Sequence, residues 1–153
     1  MYNTRNIDTL GAALVELIGF LNSPQRDGAL LREAGVGLDR ALFPLLVRLD
    51  MQGPMGVAEL ADRSGRDHTT ISRQLAKLER LGLIARRESP RDRRRNAAKL
   101  TAKGTRIVRA IALARRRLLS RALSGWNETD RSALAELSRR FADTLIDFAR
   151  AQR

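Results

Sequence analysis

Apolar residues recur along the chain at helical spacing, interrupted once by a stretch that reads as extended. Ile7, Leu10, Leu14, Leu17 and Leu21 lie three or four apart and predict an amphipathic helix from Asn6 to Leu21, ended by Asn22 to Pro24. A short helix is predicted over Gly28 to Glu33. Gly35 and Gly37 then break the chain before a helix from Leu38 to about Met51, inside which Pro44 marks a first-turn position or a bend. Val57, Leu60 and Ala61 line one side of a helix ending at Ser64, and Ser64, Gly65 and Arg66 make a turn. A second helix follows at once, with Asp67 placed to cap it and Ile71, Leu75 and Leu78 as its inward stripe. Beyond Leu81 and Gly82 the pattern changes: Leu83 to Glu88 reads as a strand, Ser89 to Arg91 as the start of a turn, and Asn96 to Leu100 as the return strand. Thr101 is placed to cap a long helix over Thr105 to Ser124. Gly125 breaks it, and Asn127 is placed to cap a last helix from Glu128 to Arg150 with a seam of Leu134, Leu137, Phe141, Leu145 and Phe148.

These elements predict a mainly α fold with a small β-hairpin wing, a winged helix-turn-helix carried on a helical dimerisation scaffold. Residues 1–36 and 105–153 are expected to be dimerisation helices and residues 37–104 the winged lobe, within one compact domain. Two terminal segments with similar apolar seams pack against each other either across a two-fold axis or inside one chain, and the seams alone fit both arrangements.

Composition narrows the chemistry. The 153 residues include no cysteine and one histidine, His68, so disulfides, thiolate zinc sites and multi-histidine metal sites are excluded by inventory. No nucleophile is paired with a base and no phosphate loop occurs, which points away from an enzyme and from any cofactor. Leu10 to Leu21, the one candidate targeting segment, is short and interrupted by Glu16. It is read as a buried helix, the protein as cytoplasmic, and no membrane partner is expected.

Charge then locates the surface of interest. The net charge is +12, from 29 basic and 17 acidic residues. Between Arg63 and Arg109 fifteen Lys or Arg face four acids (Asp67, Glu79, Glu88, Asp92), a balance of +11, which leaves +1 for all the remaining residues. A general arginine bias would spread these residues evenly. Their concentration marks a polyanion-binding face, where neutralised phosphates supply affinity.

Within that stretch the helix after Asp67 turns His68, Thr69, Ser72, Arg73 and Arg80 away from its apolar stripe, with Thr70 and Lys77 at the margins. Short polar groups near the start suit base edges, and long cations further along suit phosphates, as on a recognition helix entering double-stranded DNA. The same threonines and serine also fit a solvated face. Asp67 fits a pure cap as well as a base contact, and His68 has no companion that would make it a ligand or a base. The hairpin tip, Asp92, Arg93, Arg94 and Arg95, together with Arg91 at the start of the turn, is read as a basic wing for the minor groove, its bland alternative being a solvated turn.

Taken in order, Leu60-Ala61, Asp67-His68-Thr69-Thr70-Ile71-Ser72-Arg73, Leu78-Glu79-Arg80-Leu81-Gly82-Leu83-Ile84-Ala85-Arg86, Asp92-Arg93-Arg94 and Leu100-Thr101-Ala102-Lys103-Gly104 resemble the MarR family of multiple antibiotic resistance regulators, most strongly from Gly53 to Gly104. The resemblance implies a triangular homodimer with interlocked terminal helices and one winged helix per subunit on a pseudo-palindromic operator. It implies that Asp92 steadies the wing through an ion pair and that Arg94 enters the minor groove. It further implies that Arg73 is the arginine of the recognition helix, with Thr69, Thr70 and Ser72 at its polar contact positions. Members of the family often release DNA when a small aromatic or phenolic acid binds between lobe and dimer helices. Two departures stand out. Ala97 and Ala98 replace the usual aliphatic alternation, so the return strand is expected to be short or frayed, and Gly56 stands where a threonine often caps. The expected function is a sequence-specific regulator, a repressor acting as a homodimer. The rival readings are a weakly specific architectural DNA binder, which would show a large salt slope but little sequence preference, and a winged-helix protein-interaction module, which would leave the polar helix and basic tip without a purpose.

Overall fold

A turn closed by Ser23 and Pro24 opens the series of tight connections that shape this chain. The computed structural model describes residues 4–86 and 97–152. Among them, α1 (Thr4–Leu21), α2 (Pro24–Ala34), α3 (Phe43–Gln52), α4 (Val57–Ser64) and α5 (His68–Arg80) precede a hairpin of β1 (Ile84–Arg86) and β2 (Ala98–Leu100), and α6 (Ala102–Ala122) and α7 (Glu128–Ala151) follow. The fold is mainly helical with a small antiparallel hairpin. The chain divides into two compact units, Met1–Arg115 and Arg116–Arg153.

Four helix starts differ from the periodicity, α1 by beginning at Thr4 rather than Asn6 and three others for reasons of capping or turn formation. The Ser23 hydroxyl accepts from the Arg26 N–H at 3.3 Å and Pro24 occupies the first turn, so α2 begins four residues before the predicted Gly28. α3 begins at Phe43, not Leu38: Asp39 accepts from the Ala41 N–H at 2.9 Å, folding the intervening residues into a turn. Leu38 is apolar because it packs onto the core from this irregular segment, and Pro44 takes the first-turn position. α6 starts at Ala102, immediately after its cap. Thr101 Oγ1 accepts from the Gly104 N–H at 3.1 Å and donates to the Gly82 carbonyl at 2.6 Å.

The main core is a leucine-rich cluster from consecutive elements. Leu42, Leu45, Leu46 and Leu49 meet Leu60 and Ala61 of α4, Ile71, Leu75 and Leu78 of α5, then Leu83, Ile84, Ala98 and Val108. Each fully buried leucine or isoleucine contributes about 1.5 to 3 kcal/mol relative to exposure, so the α5 stripe alone holds that helix firmly on the lobe. A smaller cluster of Leu31, Phe43 and Ile111 joins α2, α3 and α6.

Among the described residues the return strand β2 begins at Ala98 and leaves Ala97 outside it, and the root of the hairpin is pinned. Ile84 pairs with Leu100, Ala85 with Lys99 and Arg86 with Ala98. Ala98 is also bridged on its other side to Met55, donating its N–H to the Met55 carbonyl at 2.8 Å and accepting from the Met55 N–H at 3.2 Å. Ala98 is almost fully buried there, so its small side chain fits a crossing of three backbone segments. At the end of α5 the Gly82 N–H bonds to the Glu79 carbonyl and the Leu83 N–H to the Leu78 carbonyl. This closure needs the left-handed backbone of Gly82, with φ of 70°. α4 closes the same way into the turn at Gly65 and Arg66. Gly104 lies against the Leu83 carbonyl so closely that a Cβ would overlap its oxygen. The first turn of α6 and the root of the hairpin are therefore in backbone contact.

The predicted burial of α1 does not hold within one chain. None of its residues is buried, and Val15 is 73% exposed, because α2 covers too little of a helix that is apolar on more than one side. In the second unit α7 is capped by Asn127, whose side chain accepts from the Asp130 N–H at 2.8 Å. Arg131 reaches back to the carbonyls of Leu123 and Ser124 at 3.1 and 3.2 Å. α7 likewise buries nothing, and Leu134, Leu137, Leu145 and Phe148 of its seam stay exposed. Among the described residues no helix is long and apolar enough to cross a membrane.

Candidate nucleic-acid interface

α5 presents two faces of opposite character. Ile71, Leu75 and Leu78 are buried, while His68, Thr69, Ser72, Arg73 and Arg80 are exposed together on the other side. The start of the helix is rigidly closed: Asp67 Oδ1 accepts from the Thr70 N–H at 2.8 Å and Oδ2 from the Thr70 hydroxyl at 2.6 Å. Those two bonds from Thr70, hydroxyl first, hold the Asp67 carboxyl below the usual carboxylate range. Asp67 thus acts as the predicted cap. Lys77 and Arg80 in the last turn face the negative end of the helix dipole, which favours them there.

Two predicted contact residues have partners inside the chain. Thr70 is half-buried and spends its hydroxyl on Asp67, and the Lys77 Nζ sits 3.3 Å from Asp39 Oδ2. The Ala41 N–H and then the Lys77 ammonium lower the Asp39 carboxyl from its ordinary value. The residues Arg91, Asp92, Arg93, Arg94 and Arg95 lie outside the described residues. Leading toward them, Arg86 on β1 donates through Nε and Nη2 to Glu79 Oε2 at 3.3 and 3.2 Å. Lys103 Nζ donates to the Leu81 carbonyl at 3.0 Å, so a cation from α6 closes the end of α5. The turn before α5 is braced from below: Arg48 donates to the Arg63 carbonyl at 2.8 Å, and Arg63 bonds Gln52 and pairs with Glu59.

Apart from the Asp67 cap, these side-chain ties do not follow from the sequence pattern. Glu79 and Arg86 flank the Gly82 turn, which hints that they meet, but Asp39 and Lys77 are 38 positions apart and only the packing of α5 beside the Asp39 turn unites them.

An exposed polar helix face, seated by a buried stripe and followed by a hairpin, defines a winged helix-turn-helix of the DNA-binding kind. The MarR family profile matches residues 38–95. The chain is 34% identical over 110 residues, 72% of its own length and 77% of the relative's, to the uncharacterized HTH-type transcriptional regulator YxaD of Bacillus subtilis. It is 30% identical over 111 residues to the transcriptional repressor MprA of Escherichia coli, covering 71% of this chain and 63% of that protein. In fold it is similar to a MarR family protein from Bacillus stearothermophilus, with a TM-score of 0.78 at 23% identity over 95% of this chain and 99% of the other. The chain belongs to the MarR family and is a DNA-binding transcription regulator rather than an enzyme.

Proposed function

We propose that the protein is a repressor that binds a pseudo-palindromic operator as a homodimer. The observation that carries the reading is the two-faced α5, whose buried stripe leaves His68, Thr69, Ser72 and Arg73 exposed together in the most basic third of the chain. In this reading residues 37–104 form the DNA-binding lobe. Thr69, Ser72 and Arg73 meet base edges, His68, Thr70 and Lys77 border them, and Arg91, Arg93, Arg94 and Arg95 reach the flanking minor groove, with Asp92 steadying the hairpin. The repressor assignment draws on the likeness to MprA.

The dimer is supported by α1 and α7. Their exposed Leu10, Leu17, Leu137 and Phe148 form apolar stripes that water does not favour, and a second copy of residues 1–36 and 105–153 supplies a complementary cover. Two lobes then read half-sites about one helical turn apart on one face of the duplex. Release by a small aromatic or phenolic acid follows from the family resemblance, and the setting is the cytoplasm, where the DNA is.

Footprinting on the DNA upstream of the protein's own gene, with and without aromatic acids, tests the reading. A protected two-fold site is expected, lost on addition of an effective acid. Arg73→Ala is expected to weaken operator binding by about 1 to 3 kcal/mol with the dimer intact on sedimentation. Equal affinity for operator and random duplex would favour an architectural binder, and an unchanged Arg73→Ala would remove α5 from the interface.

A further inference from the structure

Beside the turn that precedes α5 the lobe holds a small cavity whose lining carries two arginines and no acid. It measures about 80 Å³ and is lined by Ala41, Pro44, Leu45 and Arg48, from α3 and its approach, and by Ser64 and Arg66, from the end of α4 and the turn. Arg48 is half-buried and spends one guanidinium N–H on the Arg63 carbonyl at 2.8 Å, which leaves its other donors unengaged by the described residues. Arg66 is exposed, and its guanidinium has no hydrogen-bond or ion-pair partner among the described residues. The Ser64 hydroxyl is buried and equally without a partner among them, a state that lowers stability unless a guest supplies one. Pro44 and Leu45 bring the first turn of α3, the positive end of that helix, into the same lining.

Size then selects the guest. At about 30 Å³ per water the cavity has room for a tetrahedral oxyanion, and it falls far short of the roughly 300 Å³ at which pockets for drug-sized ligands begin, so an aromatic acid does not fit it. A wider depression over α4 and the start of α5, of about 660 Å³, has Glu59 and Asp62 in its lining and does not suit an anion. Arg66 immediately precedes the Asp67 cap, and exposed His68 and Thr69 follow, so an anion held in the small cavity lies at the head of α5.

We propose that this cavity is an oxyanion site in which Arg66 and the remaining donors of Arg48 hold one phosphate, with the Ser64 hydroxyl as a third donor. Two sources share that chemistry, a backbone phosphate of the duplex and free inorganic phosphate. Only the first rests on the proposed α5–DNA reading.

Inorganic phosphate is titrated into the full-length protein against chloride at constant ionic strength, read by the amide resonances of Ser64, Gly65 and Arg66 and by thermal melting. A saturable shift of those resonances is expected, and Arg66→Gln is expected to weaken it about tenfold. Ser64→Ala is expected to melt in chloride as high as the parent or higher, because it removes an unpartnered hydroxyl, and yet to bind phosphate more weakly; a merely structural serine would not show that pair of changes. In a second arm the protein selects its preferred duplex from a random-sequence pool, and single methylphosphonates are placed along it in turn. A backbone source predicts one position whose neutralisation costs the parent about tenfold and costs Arg66→Gln nothing. A free source predicts no such position while the phosphate shift persists. The Arg66 side chain bonds no described residue, so its variant is expected to fold, and circular dichroism checks it; should it misfold, Ser64→Ala decides by the same two readouts. The inference is overturned if phosphate produces no saturable shift that these variants weaken and no methylphosphonate position becomes neutral in them. If Arg73→Ala still weakens duplex binding in that case, the oxyanion site alone falls. If Arg73→Ala also leaves it unchanged, the α5–DNA reading falls with it.

Discussion

α5 and α7 carry apolar stripes of the same helical spacing, and one is wholly buried while the other is mostly exposed, with Phe141 alone half-buried among the seam residues. Ile71, Leu75 and Leu78 find leucines of α3 and α4 waiting, together with Leu83 and Ile84. Leu134, Leu137, Leu145 and Phe148 find no such cover. Amphipathicity therefore specifies that a helix face needs a partner, and the neighbours within reach decide where the partner comes from. The two faces left exposed are opposite in kind, polar on α5 and apolar on α7.

The contrast is most open to breakage in stability. Ile71→Ala is expected to lower the unfolding free energy by about 2 to 5 kcal/mol at any protein concentration, since it opens a cavity in the lobe. Leu137→Ala is expected instead to lower the midpoint only at concentrations where the parent associates, and to match the parent at high dilution, if its effect acts through association. Denaturant titrations at two protein concentrations compare them, and matching concentration dependence in both variants would remove the distinction.

A smaller effect sharpens the account of how α5 is held. Gly104→Ala forces α6 away from the Leu83 carbonyl and is expected to cost about 1 to 3 kcal/mol, read as a fall in melting temperature. An unchanged melting point would mean the contact yields freely.

The smallest effect distinguishes the two caps. Asp67 has a lowered carboxyl pKa in the folded chain, so its contribution is complete above the unfolded value of about 3.9 and is lost as pH falls through the lower folded value. Asn127 does not titrate, and α7 loses nothing through its cap in that range. Asp67→Asn is therefore expected to flatten the decline of stability below about pH 4, measured by thermal melts in acid. An identical decline in parent and variant would exclude this source.

Much of this arrangement was legible before the fold was known. The lobe's leucines, the caps at Asp67, Thr101 and Asn127, the turn at Gly65 and the presence of a hairpin all follow from local rules, each depending on residues a few positions apart. What local rules obscured were residues with two meanings. Ser23 and Pro24 end one helix and begin the next, and Leu38 is apolar for the core without being helical. On the candidate interface the exposed α5 face was readable from periodicity, whereas the partners of Lys77, Arg86 and Lys103 depend on tertiary approach, which spacing does not encode.

Those partners bear on how the protein responds to ionic strength. Of the fifteen basic residues between Arg63 and Arg109, at least Arg63, Lys77, Arg86 and Lys103 are already occupied by carboxylates or carbonyls of their own chain. A cation satisfied at home displaces no condensed counterion from a duplex while it keeps that bond. The dependence of DNA affinity on the logarithm of salt concentration is accordingly expected to be shallower than a count of arginines and lysines suggests.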